Sequence, residues 1–286
     1  MTASPPISGA TRIAAVIGHP VRHSLSPTIH NAAYAAMALD WRYTAFDVST
    51  GAGGRAVEAM RTFGLVGMNV TMPHKDAVAS AVDALAGDAP RLRAVNCVVP
   101  DGDRLIGHNT DGDGFVDNLR IDEGIDPSGL HVVVIGAGGA ARSVIAALAR
   151  ADASVTVVNR TAARAIEAAA LAGERGRVGT AADVAIADLI VNATPVGMGE
   201  APATDGVTAL PFDPDLLRAG SIVAELVYHP SVTPLMGEAV ARGARAVGGL
   251  GMLVHQAARA IELWSGRRPP VDVMWGAARD RLGNAS

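Results

Sequence analysis

Apolar runs of strand length alternate with stretches of helical spacing along most of the chain. Residues 12–18 (RIAAVIG) form a continuous apolar run and predict a buried strand. Ser26 and Pro27 then predict a helix start, with Ser26 as N-cap and Pro27 at the first helical position. WRYTAFDV (41–48) alternates as a second strand and LVGMNVT (65–71) reads as a third. AVNCVV (94–99) and RLIGHN (104–109) predict further extended segments, followed by a helix over 113–122. The turn-rich GIDPSG (124–129) is the best linker. LHVVVIG (130–136) opens a βαβ pattern whose later strands are SVTVVN, DLIVNAT and SIVAEL. A helix over 252–264 is stopped by Gly266 and the Pro269–Pro270 pair. Alternating β and α elements predict an α/β protein with largely parallel sheets.

With 286 residues, two domains are expected at ~100–200 residues each. Hydrophobic residues make up 49% and the net charge is only -4, so the chain can build sizeable cores and general disorder is excluded. The mildly acidic balance gives no electrostatic reason to expect a nucleic-acid or anionic-membrane partner. Cys97, the single cysteine, cannot form an internal disulfide, which fits a reducing cytoplasm. The first ten residues lack the basic start and apolar core of a signal peptide. No run of ~18 apolar residues predicts a membrane span.

GAGGAAR (136–142) follows one predicted strand and opens a helix, fitting G-x-G-x-x-A with Gly136, Gly138 and Ala141. Gly136 permits the tight turn, Gly138 lets a pyrophosphate approach the backbone, and Ala141 allows close helix–strand packing. The helix N-terminus would face the phosphates with unpaired N–H groups. About 20 residues on, where an NAD site places an acidic residue, stands Asn159, with Arg160 and Arg164 nearby. Arginine matches a phosphate with a fork of donors, so the inference is a 2′-phosphate and hence NADP. The plainer reading is that Thr161 caps a helix and both arginines are solvated.

Basic residues are 23 arginines and a single lysine, Lys75, at the end of NVTMPHK (69–75). Lysine, unlike arginine, can give up a proton in suitable surroundings. Hydride chemistry with NADP needs such a partner. No tyrosine has a lysine four residues on, no HExxH or paired-cysteine metal site occurs, and DGDG (111–114) runs into Phe115 where a calcium loop needs a ligand. His19 and His23 are four apart, but Pro20 between them argues against a shared helix face. No metal is expected, and Lys75 leads by elimination.

GHPVRHSLSPTIHN (18–31), NVTMPHK (69–75), AVNCVV (94–99), GHNTDGDGF (107–115), GAGGAAR, NRT, NATPVGM (192–198) and MLVHQA (252–257) occur in the order found in shikimate dehydrogenases, and the chain resembles that family over nearly its whole length. The resemblance implies reversible reduction of 3-dehydroshikimate to shikimate with NADPH, in aromatic amino-acid biosynthesis. It implies a substrate domain over 1–115, completed by C-terminal helices from 252–286, and an NADP-binding Rossmann domain over 116–251. Lys75 and Asp111 would be the catalytic pair. Ser24 and Ser26 would hold the substrate carboxylate, and Asn69, Thr71, Asn96 and Gln256 the ring hydroxyls, with Tyr228 also contacting substrate. Ser26 and Asp111 could instead be helix caps. The cofactor would meet the turn of Gly136, Ala137, Gly138, Gly139, Ala140 and Ala141, the NRT segment of Asn159, Arg160 and Thr161 with Arg164, and Thr194, Pro195, Met198 and Gly249.

Cys97 stands where the family usually has Thr, Glu225 where Asp is common, and His74 at a variable position. These departures leave room for a paralogue acting on quinate or an aminated shikimate, and a non-catalytic NADP sensor is a third possibility. Lys75 and Asp111 argue against the sensor; NRT and Ser26 argue against an NAD-linked quinate enzyme. No apolar stripe is left over to mark an interface, so monomer and homodimer both stay open.

Overall fold

The computed structural model describes residues 5–198 and 212–283. The chain divides into two compact units, residues 1–114 with 253–286, and residues 115–252. Each is built on one six-stranded sheet.

The first unit holds β1 (Arg12–Gly18), β2 (Trp41–Asp47), β3 (Gly67–Val70), β4 (Ala84–Leu85), β5 (Cys97–Asp101) and β6 (Arg104–His108), in the order β2-β1-β3-β5-β6-β4. Strands β2, β1 and β3 run parallel, whereas β3–β5 and β5–β6 pair antiparallel. β4 pairs parallel with β6, so this sheet is mixed, with three of its five pairings parallel. The β5–β6 connection is a short hairpin turn with Gly102 at φ +59°, too short for the crossover that parallel neighbours require. Helices α1 (Ser26–Ala36), α2 (Gly53–Phe63), α3 (Lys75–Ala79), α4 (Ala89–Leu92) and α5 (Asp111–Asp117) follow in chain order, α5 crossing from this unit into the next. Val57, Met60, Met68, Val70, Val78 and Val98 form a buried apolar core around β3.

Helix α1 starts one residue earlier than the sequence predicts. Leu25 is the N-cap, with no side-chain capping bond, and Ser26 and Pro27 are already helical. The Ser24 hydroxyl instead accepts from Ser26 N at 3.3 Å. Ser26 is thus relieved of capping. Inside α1, His30 is fully buried; Nδ1–H donates to Ser26 O at 2.8 Å and the ring stacks on Tyr43 at 3.9 Å. Burial lowers its pKa to about 4. The native imidazole stays neutral while the unfolded one takes up a proton below about 6.5. Stability from this group is therefore intact above about pH 6.5 and is lost as pH falls toward 4. The expected loss between pH 7.5 and about 4.5 is on the order of 2–3 kcal/mol. Trp41, Trp264 and Trp275 all lie in the first unit, so urea unfolding followed by tryptophan fluorescence reads this unit. A His30→Gln protein should show a flatter pH dependence; an unchanged slope would mean that the imidazole titrates normally.

The second unit contains β7 (His131–Ile135), β8 (Ser154–Val158), β9 (Gly176–Val178), β10 (Leu189–Asn192), β11 (Ile222–Glu225) and β12 (Arg245–Val247). All pairings are parallel, in the order β12-β11-β10-β7-β8-β9. The chain leaves β7 in one direction for β8 and β9 and returns beside β7 for β10 to β12, the doubly wound order of dinucleotide-binding sheets. Its strands are continuous apolar runs because helices cover both faces: α6 (Gly139–Arg150), α7 (Ala162–Ala169) and α8 (Pro234–Ala241). The segment 124–129, read from sequence as the linker, lies inside this unit; the division falls at Gly114–Phe115. The helix expected over 113–122 is α5 followed by a π-helical turn, Asn118–Asp122.

The last helices are α9 (Leu250–Ser265) and α10 (Val271–Gly283). From Leu253 onward they belong to the first unit. Two glycines admit α9 to that unit. A Cβ on Gly114 would lie 2.6 Å from the Gln256 backbone, and one on Gly67 would lie 2.2 Å from the Trp264 indole. Trp264 then donates its indole N–H to Val98 O at 3.0 Å.

Candidate active site and cofactor site

Lys75 is the first residue of α3, and its backbone is fixed from both sides. His74, 1% exposed, contacts Val48 O through Nε2 at 2.8 Å, and Val95 N donates to Lys75 O at 2.9 Å. Its ammonium donates to Asp111 Oδ2, with the lysine side chain 19% exposed. Asp111 is the first residue of α5, and each of its carboxylate oxygens takes a side-chain donor. Oδ1 accepts from Asn96 Nδ2 at 2.7 Å. Asn96 is held by Thr110, whose N–H donates to Asn96 Oδ1 at 2.8 Å, and the Thr110 hydroxyl donates to Gln256 O at 3.2 Å. Gln256 Nε2 is tied to Leu253 O, with its Oε1 3.5 Å from Asn96 Nδ2.

Asn69, at the end of β3, accepts from the Tyr43 hydroxyl at 2.7 Å and donates to Asn96 O at 3.0 Å. Ser26 lies within hydrogen-bond reach of the same tyrosine oxygen. Thr71 is half-buried, its methyl packed where Gly18 has no side chain. Lys75, Asp111, Asn96, Gln256 and Asn69 are thus joined in one hydrogen-bonded network. Thr71 is two residues beyond Asn69, and Ser24 is joined to Ser26 by the hydrogen bond at the start of α1. Tyr228 belongs to the second unit, where burial raises its pKa. Sequence reading missed Tyr43 and Thr110: an aromatic in an alternating strand and a threonine before a helix carry no signal of their own. Among the described residues, no group of three or more His, Cys, Asp or Glu side chains is placed to hold a metal ion.

In the second unit, Gly136 directly follows β7 at φ +112°, and a Cβ there would lie 2.9 Å from Ala193 O. Both the conformation and the space demand glycine. A Cβ on Gly138 would meet nothing within 4 Å, so the surface over this N-cap residue of α6 is open. Ala141 is fully buried against the sheet. Gly139, Ala137 and Ala140 complete the turn into α6, whose first N–H groups suit a pyrophosphate. Past β8, Asn159 bonds Thr161 O at 3.0 Å. Thr161 does occupy the N-cap of α7 but makes no side-chain capping bond. Arg160 and Arg164 are exposed, and neither guanidinium has a hydrogen-bond or ion-pair partner among the described residues. These features fit a dinucleotide carrying an extra phosphate.

The loop after β10 is organised by Glu225, 1% exposed. Its carboxylate accepts from Asn192 Nδ2 at 3.0 Å, Val227 N at 3.2 Å and the Thr233 hydroxyl at 3.2 Å. Burial raises its pKa, opposed by these donors. Asn192 Oδ1 in turn accepts from the Thr194 hydroxyl at 2.7 Å, so Glu225 fixes the turn leading through Pro195 to the 55% exposed Met198. Gly249 has a packing reason of its own: a Cβ there would lie 2.4 Å from Leu226 O.

Residues 16–98 match the family model described as shikimate dehydrogenase substrate binding domain, and residues 249–279 match the shikimate 5'-dehydrogenase C-terminal domain. An NAD(P)-binding model matches residues 124–197. Over 98% of its length the chain is 42% identical to the shikimate dehydrogenase (NADP(+)) of Moorella thermoacetica, covering 97% of that protein. It superposes with a TM-score of 0.89 and 35% identity on a crystal structure of a shikimate dehydrogenase in complex with NADP+, covering 98% of each chain. A shikimate 5-dehydrogenase from Thermus thermophilus, in complex with NADP(H) and shikimate, gives 0.87 at 37% identity, over 95% of this chain and 100% of that one. Identity of this extent over nearly the full length, joined to a lysine–aspartate pair and a glycine-turn dinucleotide fold, places this chain in the shikimate dehydrogenase family.

Proposed function

We propose that this protein catalyses the reversible NADPH-dependent reduction of 3-dehydroshikimate to shikimate, as a cytoplasmic enzyme of aromatic amino-acid biosynthesis. The observation that carries the reading is the Lys75–Asp111 ion pair, tied through Asn96 to Thr110 and Gln256. We assign substrate binding to the unit of residues 1–114 and 253–286, and NADP binding to residues 115–252.

Bound NADPH supplies the hydride. Lys75, as an ammonium, stabilises the negative charge that develops on the carbonyl oxygen and gives it a proton. In the reverse direction its amine takes the proton back. Asp111 holds the ammonium in place. Ser24 keeps its hydroxyl proton while accepting from Ser26 N, so it can donate to the substrate carboxylate, with Ser26 beside it. Asn69, Thr71, Asn96 and Gln256 supply directional contacts for ring hydroxyls, and Tyr228 adds a further substrate contact. Arg160 and Arg164 take the 2′-phosphate, the Gly136–Ala141 turn takes the pyrophosphate, and Asn159, Thr161, Thr194, Pro195, Met198 and Gly249 complete the cofactor contacts. The protein acts on small molecules and requires neither nucleic acid nor membrane; it works as a monomer or a homodimer.

An absorbance assay at the nicotinamide band, with shikimate or quinate and each oxidised cofactor, tests this directly. Shikimate with NADP+ should give the highest rate, with NADP+ preferred over NAD+ by at least ~10-fold, the scale of about 1.4 kcal/mol. Faster turnover of quinate with NAD+ would overturn the assignment. Arg160→Ala should raise KM for NADP+ far more than for NAD+. Equal loss with both cofactors would mean that this guanidinium does not read the phosphate.

A further inference from the structure

Tyr43 is an aromatic of β2, 3% exposed and stacked on His30, and nothing in its sequence context marks it as more than core. Its hydroxyl is nevertheless placed on Asn69 Oδ1 at 2.7 Å. The direction of that bond is fixed by the other end of the amide. Asn69 Nδ2 lies 3.0 Å from Asn96 O, a backbone carbonyl that can only accept. The amide nitrogen therefore belongs on the Asn96 side and the amide oxygen on the Tyr43 side. An amide oxygen cannot donate, so the tyrosine hydroxyl must. One N–H of Asn69 is spent on Asn96, and the second is the donor left to offer. Without the tyrosine hydroxyl, the Asn69 oxygen would lose its only partner among the described residues, and the amide would lose half of what sets its orientation.

We propose that Tyr43 is a positioning residue for substrate binding: through its hydrogen bond to Asn69 it fixes that amide so that an N–H, rather than the carbonyl, is presented to a ring hydroxyl of the substrate. The hydroxyl is thereby required to accept at this point. Tyr43 does not itself touch substrate or cofactor. The inference rests on the assignment of Asn69 as a substrate-binding residue made above.

The test is a double-mutant cycle of Tyr43→Phe and Asn69→Ala, read as KM for shikimate, KM for NADP+ and kcat. Phenylalanine retains the ring that stacks on His30 and removes only the hydroxyl. Tyr43→Phe should raise KM for shikimate by about 3–10-fold, the loss of one hydrogen bond acting through its partner. It should leave kcat and KM for NADP+ within about twofold, the pattern of lost uniform binding. In an Asn69→Ala background the same change should have less than about a twofold effect, because its target is gone. A general packing defect would move kcat and the urea midpoint as well. If Asn69→Ala leaves KM for shikimate unchanged, the substrate role of Asn69 fails, and the inference with it. If Asn69→Ala raises KM but Tyr43→Phe does not, only the role of Tyr43 is overturned. Full multiplication of the two effects would likewise overturn it, since Tyr43 would then act by another route.

Discussion

A Lys75→Arg enzyme is expected to bind NADP+ normally and shikimate within a few-fold of the unaltered enzyme, yet to lose turnover by ~10²–10⁴, the usual worth of a positioned acid–base group. Arginine preserves the positive charge beside Asp111 but does not release a proton at any ordinary pH. Lys75→Ala should lose a similar amount, because the proton donor is missing in both. Twenty-three other basic positions in this chain are arginine, so a bare cation is not what the position needs. The surrounding structure supports the same view. The His74 ring and the Lys75 carbonyl are both anchored by hydrogen bonds, so the residue is held as part of a site and not as a loose surface side chain. Steady-state rates for both variants decide the matter; a Lys75→Arg enzyme with wild-type turnover would sink the mechanism.

The second large effect is expected at Asp111. Its two oxygens serve two donors at once, Lys75 Nζ on one and Asn96 Nδ2 on the other. An amide in its place has only one acceptor atom. In Asp111→Asn, an NH2 group must therefore face either an ammonium or another NH2 group, and the Lys75 head is released or Asn96 is turned. Turnover should fall by ~10² or more, with a smaller rise in KM for shikimate through Asn96. Because the two residues act as a unit, Lys75→Ala combined with Asp111→Asn should be scarcely slower than Lys75→Ala alone. Full multiplication of the separate losses would show that the two carboxylate contacts serve different steps.

Nine of the twelve strands among the described residues were legible as apolar or alternating runs, whereas the short β4, β9 and β12 were not. RIAAVIG is β1 to the residue, and the run around Val132–Ile135 is the centre of the parallel sheet. The direction of pairing was not legible: Val98 and Met68 alternate and bury alike whether their strands run parallel or antiparallel. The start of α1 was misplaced by one residue because Ser-Pro satisfies two adjacent capping patterns, and only the Ser24–Ser26 bond distinguishes them. Lys75 and the glycine turn stood out by their chemistry. Asp111 and Asn96 came only with the family resemblance, since their meeting joins a strand entry to a helix start 15 residues later. Tyr43, and the part that Glu225 plays in the loop after β10, were hidden for a common reason. Their importance lies in which buried partner they face, and a linear pattern of apolar and polar positions does not encode partners.

Gly67 and Gly114 leave room for α9, a helix that the ribosome makes only after the second unit. Gly67 in β3 and Gly114 in α5 are synthesised before it, but Trp264 and Gln256 cannot take their places until residues 115–252 have been made as well. At ~5–20 residues per second, that interval is on the order of ten seconds. The second unit, contiguous in the chain, has all of its strands available as soon as it emerges. Birth order and completion order are thus reversed. Until α9 is made, the surface of β3 at Gly67 lacks the Trp264 indole that covers it in the finished fold.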